Sequence, residues 1–93
     1  MKRIYRKTIE ITDSQVISDF GLVRVLAVED RRGEPEVWYE LEDDGPPMSI
    51  TLRVFGTGFI LPENPGTYIG HFLAHENWFV GHVYASEPYP EEG

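Results

Sequence analysis

Three histidines, His71, His75 and His82, lie close together, and a metal site is the first chemistry to test. Their spacing matches no zinc signature, and only His71 and His82 are expected to share a face of a hairpin. Two imidazoles without a dependable third ligand make a weak site. They are read as cross-strand packing partners, and no metal or cofactor is expected. Ser14, Ser18, Ser49 and Ser86 fall at turns or strand ends with no nucleophile-elbow pattern around them. The chain has no cysteine, which removes thiolate catalysis, thiolate metal ligation and disulfides. No catalytic residue emerges, and the chain is read as a non-enzyme.

Binding chemistry is better represented. Gly56-Thr57-Gly58 follows shortly after Arg53, and consecutive amide N–H groups in such a turn can form a concave anion site. A β-bulge or a strand-ending kink explains the same glycines, and no P-loop pattern surrounds them. Arg24 interrupts an apolar run, so if buried it needs an anionic partner. That partner is either one of the chain's many carboxylates or a ligand. With His71 and His82, these residues form a candidate site for a small anionic, nucleotide-type ligand. The alternative is a protein-binding face in which Trp38 stands between carboxylates, with Glu40, Glu42, Asp43 and Asp44 meeting a basic partner.

The bulk properties limit both readings. Ninety-three residues make one domain, and a chain of this size buries only about 60–65% of its unfolded surface, so a homo-oligomer is expected to supplement the core. Eight basic residues against sixteen acidic ones give a net charge of −8. That excess opposes general nucleic-acid binding, which relies on basic side chains neutralising phosphates. No apolar run has the length of a membrane span, and the basic N-terminus lacks a signal-peptide core. The expectation is a cytoplasmic protein that does not engage membranes.

The candidate residues must be held by strands. Lys2 to Thr12 alternates and carries half of the basic residues, as a charged edge strand would. Asp13-Ser14 turns into a short element at 15–18. Gly21 to Glu29 is nearly continuous apolar sequence, read as a strand buried on both faces or a central barrel strand. Asp30 to Gly33 forms a turn. Glu36 to Glu42 then directs Val37, Tyr39 and Leu41 inward, and Trp38, Glu40 and Glu42 outward. Pro46-Pro47 separates it from Ser49 to Phe55, where Ile50, Leu52 and Val54 oppose Thr51, Arg53 and Phe55.

Thr67 to Ala85 is the densest apolar stretch. It predicts a hairpin turning at Glu76-Asn77, with His71 opposite His82, Leu73 opposite Val80 and Ile69 opposite Tyr84. On the other face Phe72 meets Gly81 and Gly70 meets Val83. The sum is an all-β, antiparallel domain over residues 1–86, a small barrel or compact sandwich of about six strands. An acidic, proline-rich tail, 87–93, is expected to be mobile.

The blocks Val54-Phe55-Gly56-Thr57-Gly58, Tyr68-Ile69-Gly70-His71-Phe72 and Phe79-Val80-Gly81-His82-Val83-Tyr84, with the opening Ile4-Tyr5-Arg6 and Ile9-Glu10-Ile11-Thr12, resemble a family of small bacteriophage proteins of unknown function. The resemblance spans nearly the whole chain. Two departures are His71, where the family has threonine, and Gly81, where it has tryptophan. The resemblance carries no activity. It implies a phage origin and, through it, an accessory role in the bacterial cytoplasm: sequestering a nucleotide immune signal, or masking a host protein.

Overall fold

The computed structural model describes residues 1–76 and 78–91. Among them run eight strands and no helix: β1 (Lys2–Thr8), β2 (Ser14–Phe20), β3 (Leu22–Arg31), β4 (Glu34–Glu42), β5 (Pro47–Gly56), β6 (Thr67–Ala74), β7 (Phe79–Ala85) and β8 (Tyr89–Pro90). Every pairing is antiparallel. One sheet has the order β1-β4-β3; the other has the order β2-β5-β7-β6, with β8 beside β5. The two sheets face each other around one core, and β3 runs alongside β6.

Local chemistry sets the connections. Arg32 and Gly33 both take positive φ, 54° and 82°, the two-residue hairpin turn whose twist matches the strands it joins. Gly21, between β2 and β3, has φ 69°, and a Cβ there would lie 1.9 Å from the Glu42 carbonyl oxygen. Only glycine permits that approach. Inward alternation does the rest. Val37, Tyr39 and Leu41 of β4 pack with Ile50, Leu52 and Val54 of β5 and with Phe72 and Val83. Burying a side chain such as Leu52 or Val37 contributes roughly 1.5–3 kcal/mol.

The β6–β7 hairpin keeps the expected pairs His71 with His82, Phe72 with Gly81, Leu73 with Val80 and Gly70 with Val83. Ile69 does not oppose Tyr84. A bulge intervenes after Tyr68, and Tyr68 takes that place. Of the expected turn residues, Asn77 lies outside the described residues; His75 accepts a bond from the Trp78 N–H at 3.3 Å. The reason for glycine at 81 is direct, since a Cβ would come within 2.5 Å of the Phe72 ring.

Three further expectations are corrected. β3 is the edge of its sheet, not a central strand buried on both faces, and bulges at Val23 and Leu26 leave it half exposed. The element at 15–18 is a full strand pairing with β5 along its length. The chain beyond residue 86 returns to the sheet, with Tyr89 beside Ser49 and its hydroxyl 2.7 Å from the Thr51 hydroxyl; Glu92 and Gly93 lie outside the described residues. No described helix is long and apolar enough to cross a membrane.

Candidate functional site

The outer face of the three-stranded sheet holds one set of candidates. Register places Glu36, Trp38, Glu40 and Glu42 of β4 on that face, between β1 and β3. Glu40 is 8% exposed. Arg24 reaches its Oε1 at 3.1 Å and Lys2 its Oε2 at 3.3 Å. Burial pushes the Glu40 carboxyl up, but hydrogen bonds and charge from Arg24 and Lys2 outweigh it and hold the group below its ordinary value. Arg6 and Arg31 flank Glu36 at 3.9 and 3.8 Å. The N-terminal ammonium meets Glu42 at 3.2 Å, and Arg3 meets Asp43 at 2.8 Å. The hydrogen bond from Arg3 lowers the Asp43 pKa. Trp38 lies under the Arg6 guanidinium, 5.6 Å from it, and donates to Glu29 at 3.3 Å. Arg24 therefore finds its anion within the chain. Of the carboxylates read as an acidic docking face, only Asp44 carries no ion pair among the described residues.

The outer face of the β5-β7-β6 sheet holds the other set. Arg53 and Phe55 of β5, Tyr84 and His82 of β7, and Tyr68 and His71 of β6 share it by register. Phe55 and Tyr84 meet edge to face at 5.6 Å, as do Tyr84 and Tyr68 at 5.2 Å, geometries that suit aromatic quadrupoles. His82 is held at both nitrogens: the Thr57 hydroxyl lies 2.9 Å from Nε2 and the Tyr68 hydroxyl 3.0 Å from Nδ1. The His71 ring is 6.0 Å from that of His82. No group of three potential metal ligands occurs among the described residues.

Gly56-Thr57-Gly58 ends β5 in a tight turn. The Phe59 N–H donates to the Gly56 carbonyl at 3.0 Å, and Gly58 has φ 90°, the type II arrangement that requires glycine in its third position. The Thr57 and Gly58 amides have no protein partner among the described residues. This turn, Phe59 and Leu61 beyond it, and Phe55, Tyr68, His82 and Tyr84 on the sheet enclose an open groove of about 250 Å³. Arg53 stands at its border, its guanidinium 5.2 Å from the Phe55 ring, with no carboxylate in ion-pair range among the described residues.

The structure thus brings Gly56, Thr57, Gly58 and His82 into one groove, with Arg53 and His71 on the same face. Arg24 lines a separate groove with Val23, Ile69 and Glu87, at the seam of the two sheets. The aromatics Phe55, Tyr68 and Tyr84 were not singled out from sequence. For Phe55 and Tyr84 the signal was parity with Arg53 and His82; Tyr68 joins the face of His71 only through the bulge at Ile69, which parity does not show.

A family model, a domain of unknown function (DUF7352), matches residues 1–93. The chain belongs to that family. No curated protein and no solved structure matches it.

Proposed function

We propose that this domain is a non-enzymatic binder of a small anionic ligand carrying a planar ring, a nucleotide-type molecule, seated in the groove beside the Gly56–Gly58 turn. One observation carries the reading: Arg53, the only Lys or Arg after residue 32, stands over an aromatic face with no carboxylate partner among the described residues. A guanidinium so placed suits phosphate oxygens. The adjoining rings offer a base a stacking surface worth about 1–3 kcal/mol, and the Thr57 and Gly58 amides, unpartnered among the described residues, offer further donors to an anion. The groove is smaller than the roughly 300–1,000 Å³ of drug-sized sites. It fits one ring, and the rest of the ligand lies along the face toward Arg53.

The sequence blocks resemble those of bacteriophage proteins. The role that joins that likeness to this site is counter-defence in the bacterial cytoplasm, removing a nucleotide signal of the host by binding it. The competing reading, masking a host protein with Trp38, Glu40, Glu42, Asp43 and Asp44, loses ground because at every carboxylate but Asp44 a basic partner would have to displace a cation already in place.

Thermal-shift screening of cyclic and ADP-ribose-type nucleotides tests the proposal. A ligand at about 100 times its Kd stabilises by about 2.7 kcal/mol, which for a domain of this size raises Tm by roughly 10–20 °C. Arg53→Ala is expected to abolish the shift. A panel with no effect on wild type removes the reading.

A further inference from the structure

The two exposed sheet edges next to the β1–β2 connection are treated differently. β1 carries Lys2, Arg3, Arg6 and Lys7, charges that discourage another strand from pairing there. β2, the end of the five-stranded sheet, has no Lys or Arg, and it exposes Val16 and Phe20 by 56% and 70%.

Register tells which backbone groups of β2 face outward. The Gly21 N–H donates to the Pro46 carbonyl and the Val54 N–H to the Asp13 carbonyl, two bonds in register with the β2–β5 ladder. Odd-numbered residues of β2 therefore bond to β5, and even-numbered ones point their N–H and C=O away. One backbone group at each end of this outer row is closed by a side chain. The Thr12 hydroxyl donates to the Ser14 carbonyl at 3.2 Å, and the Phe20 N–H donates to the Asp19 carboxylate at 2.8 Å. The N–H and C=O groups of Val16 and Ser18, between those closures, have no partner among the described residues.

We propose that β2 pairs with β2 of a second copy of this chain, antiparallel and centred on Ile17. In that register Val16 of each copy exchanges two hydrogen bonds with Ser18 of the other. The four open groups of Val16 and Ser18 in each copy are satisfied, the Ser14 N–H comes opposite the open Phe20 carbonyl of the other copy, and neither side-chain closure is disturbed. Shifting the register by two residues either way pairs Ser14 or Phe20 in place of one of the open residues and breaks a closure. The centred register also sets Asp19 opposite Gln15, so no carboxylate faces a carboxylate across the two-fold, as an isologous interface requires. The two outer faces join through Val16, Ser18 and Phe20, and the two Arg53 residues come to lie on one continuous surface.

Light scattering at submillimolar concentration, with amide hydrogen exchange on the same sample, tests this without any ligand. The expected mass is near twice the 10.7 kDa of one chain. The Val16 and Ser18 amides should be protected at high concentration and exchange freely on dilution, while those of Ile17 and Asp19 stay protected throughout. Ser18→Pro removes an outward N–H, at a position where an edge strand tolerates proline, together with the 2.7 Å bond between the Ser18 and Ser49 hydroxyls, and is expected to give a less stable but folded monomer. Val16→Lys, a charge beside the two-fold, should also give a folded monomer. A wild-type monomer, a dimer whose Val16 and Ser18 amides exchange freely, or a dimer that survives both substitutions overturns the proposal.

Discussion

On the outer face of the β1-β4-β3 sheet, the carboxylates Glu36, Glu40 and Glu42 each meet a cation from outside β4. On the outer face of β5-β7-β6, the one arginine meets rings instead. The first arrangement has a structural task. No residue of β1 is buried, so that strand is held by its backbone ladder, by the Tyr5–Tyr39 edge contact at 6.4 Å and by ion pairs. Single exposed pairs contribute only about 0–1 kcal/mol, but here they run in series along one strand. Charges used in this way are not free for a partner. The second face holds its strands without ion pairs: β5, β6 and β7 are anchored from beneath by Leu52, Phe72 and Val83, and above by ring contacts and the bonds of His82 to Thr57 and Tyr68. Its arginine has no ion pair among the described residues, and that difference locates the candidate site.

The largest expected effects lie in the core beneath both faces, where a substitution should fail to distinguish them. Phe72 is fully buried, and Phe72→Ala should cost about 3–5 kcal/mol. Gly81→Ala, which drives a Cβ into the Phe72 ring, should cost about 1–3 kcal/mol. In the double variant the added methyl enters vacated space, so its cost should fall well below the sum. Chemical denaturation of the three variants checks this, and strict additivity would show that the two side chains do not meet.

That contact was legible in sequence because a large residue facing a small one survives any correct hairpin register. Inward alternation in β4 and β5 and the charged character of β1 were equally plain, since each is a period-two pattern. Arg24's need of an anion was readable too, though not which anion. The bulge at Ile69 was hidden: one extra residue changes no composition, yet it moves Tyr68 opposite Tyr84 and sends its hydroxyl to His82. β2 was underread because Ile17 is its one fully buried side chain. The groove was only half visible. Gly56-Thr57-Gly58 announces a turn, whereas outward Phe55, Tyr68 and Tyr84 look like ordinary strand formers until the register aligns them.

A smaller effect separates the faces directly. Glu40→Gln removes the charge that Arg24 of β3 and Lys2 of β1 share and should lower Tm by several degrees, with the loss concentrated in the β1-β4-β3 sheet. Arg53→Gln removes a cation from a ring and a solvated surface, so its cost should stay within about 1 kcal/mol while binding of the nucleotide probe is lost. Melting curves with and without the nucleotide found by the screen read both quantities. If Arg53→Gln destabilises as much as Glu40→Gln, Arg53 is a structural residue and the contrast between the faces disappears.

The smallest effect is expected from acid, and it should act on one sheet first. Glu40 and Asp43 are held below their ordinary values of 4.5 and 3.8, so the folded chain favours their ionised forms more than the unfolded chain does. The stability they add is fully present above those ordinary values. It is lost as pH falls through them toward the lower folded values. Of their partners, Arg24 belongs to β3 and Lys2 and Arg3 to β1, so the loss should fall on the β1-β4-β3 sheet before it reaches β6–β7, whose inward face needs no carboxylate. Amide exchange at about pH 6 and about pH 3, corrected for intrinsic rates, resolves the two ladders separately. The expected result is weakened protection for Tyr5 and Lys7, whose amides bond to β4, with Phe72 and Val83 nearly unchanged. Equal weakening of both ladders would mean that the ion pairs do not hold β1, and that the backbone ladder and the tyrosine contact are sufficient.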